Sequence, residues 1–204
     1  MKSTLFLILI GTLIGAVVTL FMMKQRAHWL AALEFELTPP PVPFSVLQDI
    51  QTAEQTSYAK RSRIRRAAEE AQDVLVFASP GLAYRLNFSV GRYRMKAQTI
   101  EDLLPWAIDQ KYLDLKNIRE EDFTHAIAYF SEQPVLNDWQ ASVYLEWLRQ
   151  DHPELAAMNW SQIAADPMLV AKLYSGYMGA GGDWKTWRMN LTPGVVALKR
   201  LGLY

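Results

Sequence analysis

Three groups of side chains in this sequence could do chemistry. The densest is Lys60-Arg61-Ser62-Arg63-Ile64-Arg65-Arg66, followed by Glu69, Glu70 and Asp73. Clustered cations grip phosphates or an acidic lipid surface. On a helix, however, Arg65–Glu69 and Arg66–Glu70 fall four residues apart, the spacing of a solvated, self-paired face. The histidines are the second group. His28, His125 and His152 lie far apart, none has a ligand partner three or four positions away, and Pro153 breaks the helix a zinc pair would need. No metal and no cofactor is expected. The third group is Gly179-Ala180-Gly181-Gly182, flanked by Tyr174, Tyr177, Trp184 and Trp187. A phosphate loop leaves a strand and carries Lys-Ser/Thr into a helix; this run leaves a predicted helix and meets Asp183-Trp184, so phosphate is excluded. Aromatic faces beside exposed main-chain groups suit sugar rings, whose C–H faces stack while their hydroxyls bond to N–H and C=O. The same aromatics also suit a core, and composition alone leans that way.

Composition narrows the field further. Cys is absent, which removes disulfides, thiolate zinc sites and thiol catalysis. Lys plus Arg is 21 and Asp plus Glu is 21, so no overall positive field draws the chain to nucleic acid. Half of the residues are apolar, which excludes a disordered chain.

The elements that would position these groups are mostly helical. Ser3 to Met23 carries no charge, and a helix over that stretch spans about 30 Å, the thickness of bilayer hydrocarbon. It ends Phe21-Met22-Met23-Lys24-Gln25-Arg26 without a small residue to cut at, which favours an uncleaved anchor over a secretory signal. Gly11 and Gly15 have the spacing of a small-residue packing face. Three regions follow: an anchor over 1–27, an amphipathic stretch and Pro-rich spacer over 28–44, and a helical domain over 45–204. In the second, Trp29, Leu30, Leu33 and Leu37 recur at helical spacing, and Thr38-Pro39-Pro40-Pro41-Val42-Pro43 stops any helix. In the third, helices are predicted over Ser45–Tyr58, Lys60–Ala78, from a cap at Thr99, and over Glu120–Glu132, Asn137–Asp151, Trp160–Ala164 and Pro167–Tyr177. A short last helix is predicted from Thr192 toward Leu201. No alternating run bounded by hairpin turns is visible. The expected class is all-α.

Three segments, in order, resemble the lysozyme-like lytic transglycosylases, relatives of goose-type lysozyme that cut peptidoglycan glycan strands. Ser89-Val90-Gly91-Arg92-Tyr93-Arg94-Met95-Lys96-Ala97-Gln98-Thr99 is similar to the family's S-x-G-x-x-Q-(I/M)-x-x-x-T, with Arg94 in place of Gln. Asn137-Asp138-Trp139-Gln140-Ala141-Ser142-Val143-Tyr144-Leu145-Glu146-Trp147-Leu148 resembles N-(I/L)-x-x-G-x-x-Y-L-x-x-L. Gly176-Tyr177-Met178-Gly179-Ala180-Gly181-Gly182 stands where the family has A-Y-N-A-G-x-G, with Met178 in place of Asn and Trp187 beyond.

The resemblance implies a lysozyme-like helical domain behind a single transmembrane helix. It places the domain on the periplasmic side of a bacterial inner membrane, where the glycan lies. The implied partners are peptidoglycan glycan strands, the membrane through the N-terminal helix, and other cell-envelope proteins. Ser89, Gly91, Tyr93 and Met95 would line the groove, Tyr177 would touch the sugar, and Gly179, Trp184 and Trp187 would complete that wall. In the family one Glu at the end of an early helix protonates the glycosidic oxygen, and the muramyl 6-hydroxyl then attacks to give an anhydro product. Such an acid needs an apolar pocket to keep its proton. Counting back from Gly91 by the family interval lands on Val76-Phe77-Ala78-Ser79, which has no carboxylate. The catalytic candidates are then Glu70 and Glu69, about two helical turns early and beside a basic run. Either one of them is moved into place, giving an active transglycosylase or muramidase, or catalysis is lost and the domain only binds peptidoglycan. From a different class comes an anchored interaction scaffold that sets its basic helix on anionic lipid.

Overall fold

The computed structural model describes residues 34–59, 62–78, 80–124 and 134–178. The expected anchor lies outside them, as do Gly179, Trp184, Trp187 and the helix predicted from Thr192; no described helix is long and apolar enough to cross a membrane. In chain order the elements are β1 (Phe35–Leu37), α1 (Phe44–Ala59), α2 (Arg63–Ala78), α3 (Pro80–Arg85), β2 (Ser89–Val90), β3 (Met95–Lys96), α4 (Ala97–Asp109) and β4 (Leu113–Leu115). They are followed by α5 (Pro134–Asp151), α6 (Pro153–Ala156), α7 (Trp160–Ala165) and α8 (Pro167–Tyr177). The described chain is therefore mostly helical.

Two antiparallel pairs depart from the all-helical expectation. Phe35–Leu37, expected within an amphipathic helical stretch, is instead a strand in register with Leu113–Leu115, with Leu37 opposite Leu113. Ser89 pairs with Lys96 and Val90 with Met95. Pairs of two or three residues are too short to print a period of two in the sequence. The Pro-rich segment after β1 packs on the domain: Thr38 N–H donates to the Tyr112 carbonyl at 3.0 Å, and Pro40 is buried.

The core forms around α5. Leu136, Trp139, Ala141, Val143, Leu145 and Leu148 are buried, and so are Asn137, Gln140, Ser142 and Glu146, so this helix is covered on nearly every side. Helix α1 brings Val46, Leu47, Ile50 and Ala53 to it, and α4 brings Ile100, Leu103, Leu104 and Ala107, the spacing of one apolar face. Helix α4 starts at Ala97, with Lys96 as a cap residue whose side chain makes no cap bond, so the expected cap at Thr99 lies inside the helix. Strand β3 runs directly into α4, and its last residue leaves no room for a separate turn.

Helix α8 is buried from Val170 to Tyr177, opened by Asp166, whose carboxylate accepts from the Met168 N–H at 2.8 Å, and by Pro167 at its first position. The buried Glu146 of α5 accepts from Arg149, from Gln150 at 2.8 Å and from the Trp160 indole at 2.6 Å. Burial pushes this carboxyl up, but the hydrogen bonds from Arg149, Gln150 and Trp160 outweigh it and hold it below the usual carboxylate range. Arg149 also donates to the Met158 carbonyl at 2.9 Å, which ties α5 to the turn before α7. His152 caps α6, its Nδ1 accepting from the Glu154 N–H at 3.2 Å, a structural use of the imidazole. Among the described residues no cluster of acids and histidines could hold a metal ion.

Candidate functional site

A hairpin and five helices meet at a cleft of about 880 Å³, near the top of the range of roughly 300–1,000 Å³ that ligand sites occupy. Glu54 reaches it from the last turns of α1, and Arg65, Ala68, Glu69 and Gln72 from α2. The β2–β3 hairpin supplies Ser89, Tyr93, Arg94, Met95 and Lys96, α4 supplies Thr99, and Tyr144, Tyr177 and Met178 come from α5 and the end of α8.

The hairpin owes its shape to two left-handed residues. Gly91 has φ 70°, where a Cβ would be penalised, and Arg94 has φ 53°. A non-glycine residue there costs about 1–2 kcal/mol. Arg94 is held in place by Asp73 at 2.8 Å and Glu69 at 3.8 Å on α2. On the other side, the Tyr93 hydroxyl donates to Asp138 of α5 at 2.7 Å, and Arg92 forms an ion pair with the same carboxylate. The hairpin is thus clamped between α2 and α5.

The far wall is aromatic. Tyr177 donates its hydroxyl to the Tyr93 carbonyl at 2.6 Å, so the end of α8 is tied directly to the hairpin. Burial pushes the Tyr177 phenol well above its ordinary range, so it stays a neutral donor. Tyr144 lies against Tyr177 with ring centroids 5.5 Å apart and stacks on Trp147 at 6.1 Å. Tyr174, one turn before Tyr177 and stacked on it at 6.3 Å, donates to Glu54 Oε1 at 2.7 Å. No protein-family model, curated protein or solved structure matches the chain.

The sequence candidates divide as follows. Ser89, Tyr93, Met95 and Tyr177 share this one cleft. Gly91 sits in the hairpin turn, where it sets the backbone and does not line the cleft. Glu69 lines the cleft but is engaged by Arg65 at 3.5 Å and Arg94 at 3.8 Å. Glu70, exposed on α2, is not part of the lining. Gly179, Trp184 and Trp187 lie outside the described residues.

Glu54 is the residue that the sequence reading missed. It is half-buried, its recorded partner is a neutral phenol, and among the described residues no Lys or Arg pairs with it. A signal existed, since Glu54 lies near the end of an early helix. It was hidden because α2 and α3 fill the chain between Glu54 and the hairpin, so counting back a fixed interval from Gly91 lands inside α2.

Proposed function

We propose that this chain is a membrane-tethered, lysozyme-type domain that holds a peptidoglycan glycan strand in the cleft and cleaves it with Glu54 as acid and then base. The observation that carries this reading is a juxtaposition. A carboxyl with a phenol donor, Glu54 with Tyr174, opens into the same cleft as the hairpin and the Tyr177 wall, which the sequence resemblance singled out independently. Tyr144, only partly buried, offers aromatic surface to a sugar, with the buried Tyr177 packed behind it. Ser89, Thr99 and the hairpin backbone offer polar groups for its hydroxyls.

In the reaction the Glu54 carboxyl gives its proton to the glycosidic oxygen as the bond to the anomeric carbon breaks. The resulting carboxylate takes the proton of the muramyl 6-hydroxyl as that oxygen closes on the anomeric carbon, which returns Glu54 to its starting state. Only one carboxyl is required, because the nucleophile belongs to the substrate. Glu69, tied up by Arg65 and Arg94, has no part in the proton transfers. The periplasmic side of a bacterial inner membrane is the compartment in which this substrate lies.

A second reading, binding without cleavage, is favoured by two positions. Arg94 and Met178 stand where the resembled family has an amide side chain, and Arg94 is occupied by two carboxylates. Incubation of purified murein with the wild-type chain and with Glu54→Gln separates the readings. Release of anhydro-muropeptides by wild type and not by Glu54→Gln supports cleavage. Co-sedimentation with murein and no release from either supports binding alone, and neither release nor co-sedimentation refutes both.

A further inference from the structure

Pairing off the charged side chains that line the cleft leaves one cation over. Arg65, Arg94 and Lys96 reach it, and so do the acids Glu54 and Glu69. Glu69 takes Arg65 at 3.5 Å, and Arg94 takes Asp73 at 2.8 Å. Glu54 accepts from the neutral Tyr174 hydroxyl. Lys96 is exposed, and among the described residues no carboxylate pairs with its ammonium. The hairpin therefore carries two cations of different standing, Arg94 fixed by the protein's own acids and Lys96 left for something else.

The fold sets hydroxyls beside that lysine. Strands β2 and β3 pair with Lys96 opposite Ser89, so the two side chains share one face of the hairpin, while the neighbouring Met95 takes the other face and is buried. Thr99 follows in the first turn of α4 and lines the same cleft. Ser89 and Thr99 are partly buried, and among the described residues neither hydroxyl bonds to another protein group. An ammonium and two uncommitted hydroxyls form a donor set whose natural partner is a carboxylate, a group that only accepts. A strand of N-acetylated sugars is neutral except at its carboxylates. These are the lactyl acid of each muramyl residue and, where that acid is amide-linked to peptide, the acids of the peptide. Glu54 is neutral in the state that gives up a proton, so Lys96 is then without a counter-charge in the cleft lining.

We propose that Lys96, with Ser89 and Thr99, binds a carboxylate of the strand and so selects acid-bearing strands over neutral ones of the same sugars. The proposal rests on the glycan reading of the cleft. It makes Lys96 a specificity residue that takes no part in the proton transfers.

The full chain, as wild type and with Glu54→Gln so that strands are held and not cut, is titrated by calorimetry with short murein strands in three forms. One form keeps its peptides. Another has been stripped by an amidase, which frees the lactyl acids. The last has been stripped and its acids converted to carboxamides. The expected result is that an acid-bearing form binds about fivefold more tightly than the carboxamide form, the scale of one solvent-exposed ion pair. The gap closes at high salt. Lys96→Gln removes it, and Lys96→Arg, which keeps the charge, preserves it. Tighter binding of the stripped form assigns the lactyl acid to Lys96, and tighter binding of the peptide-bearing form assigns a peptide acid. Equal affinity for acid and carboxamide forms, or a gap that survives Lys96→Gln, overturns the proposal and leaves the glycan reading standing. Failure of every form to bind refutes both. Because Lys96 is exposed, its variants should keep the thermal midpoint of the parent chain, which separates a lost contact from a lost fold.

Discussion

Two glutamates line one cleft, and their surroundings differ in kind. Glu54 stands on the α5–α8 side, where its recorded partner is the Tyr174 hydroxyl and the neighbouring wall is Tyr144 and Tyr177. Glu69 stands on the α2 side, within reach of Arg65 and Arg94, in an array that continues to Asp73. One side is neutral, aromatic and rooted in the core; the other is charged and half-solvated. The lesson is that the residue type fixes neither task. Fixed cations make a carboxylate part of a scaffold, here the one that holds the left-handed Arg94 and the hairpin in position. A neutral donor orients a carboxyl without committing it to an ion pair.

That contrast can be broken in graded steps. Glu54→Gln should lower anhydro-muropeptide release by about a thousandfold, the scale of a lost general acid, with no loss of thermal stability. A residual rate within tenfold of wild type would remove Glu54 from the chemistry. A third carboxylate, Glu146, shows what a purely structural one does. Glu146→Ala leaves Arg149 and Trp160 without their acceptor and should cost about 3 kcal/mol of unfolding free energy at pH 7. Because Glu146 is held below the usual range in the fold, its contribution is present above the unfolded value of about 4.3 and fades as pH falls through the folded value. Denaturant midpoints of wild type and variant should therefore draw together as pH falls below the unfolded value of about 4.3. A gap independent of pH would mean that packing, and not charge, is what the variant removes.

Smaller changes sharpen the comparison. Tyr174→Phe takes away the donor and leaves Glu54 in place, a loss of about 1 kcal/mol, or roughly fivefold in rate, read in kcat with KM little changed. A KM effect alone would recast Tyr174 as a binding residue. Glu69→Gln, which removes charge but not shape, should alter the rate less than about threefold, because Glu69 positions the hairpin through Arg94 and transfers no proton. A loss as large as that of Glu54→Gln would reverse the assignment of the two sides.

Much of this was legible in the sequence, and the failures have physical reasons. The helices observed over 44–59, 134–151, 160–165 and 167–177 lie where they were expected, over 45–58, 137–151, 160–164 and 167–177. The turn at Gly91 and the aromatic residue at Tyr177 were visible as motif positions, and they meet through a hydrogen bond across the cleft. Strand Phe35–Leu37 was not visible, because three residues read equally well as part of a helical stripe. Glu54 was not visible as a site residue, because nothing local marks an acid: its role comes from Tyr174 on α8, far along the chain, and from the length of the α2–α3 segment that had to be skipped.

The central claim is that the hairpin and the end of α8 form two walls holding one saccharide, and the methionines test it directly. Met95 lies on the hairpin wall and Met178 on the α8 wall, while Met158 and Met168 lie outside the lining. With methyl-labelled methionine in the full chain, titration with a purified glycan-strand fragment should shift the Met95 and Met178 signals together, along one binding curve, and leave Met158 and Met168 in place. Shifts at only one of the two, at neither, or along two different curves would contradict it.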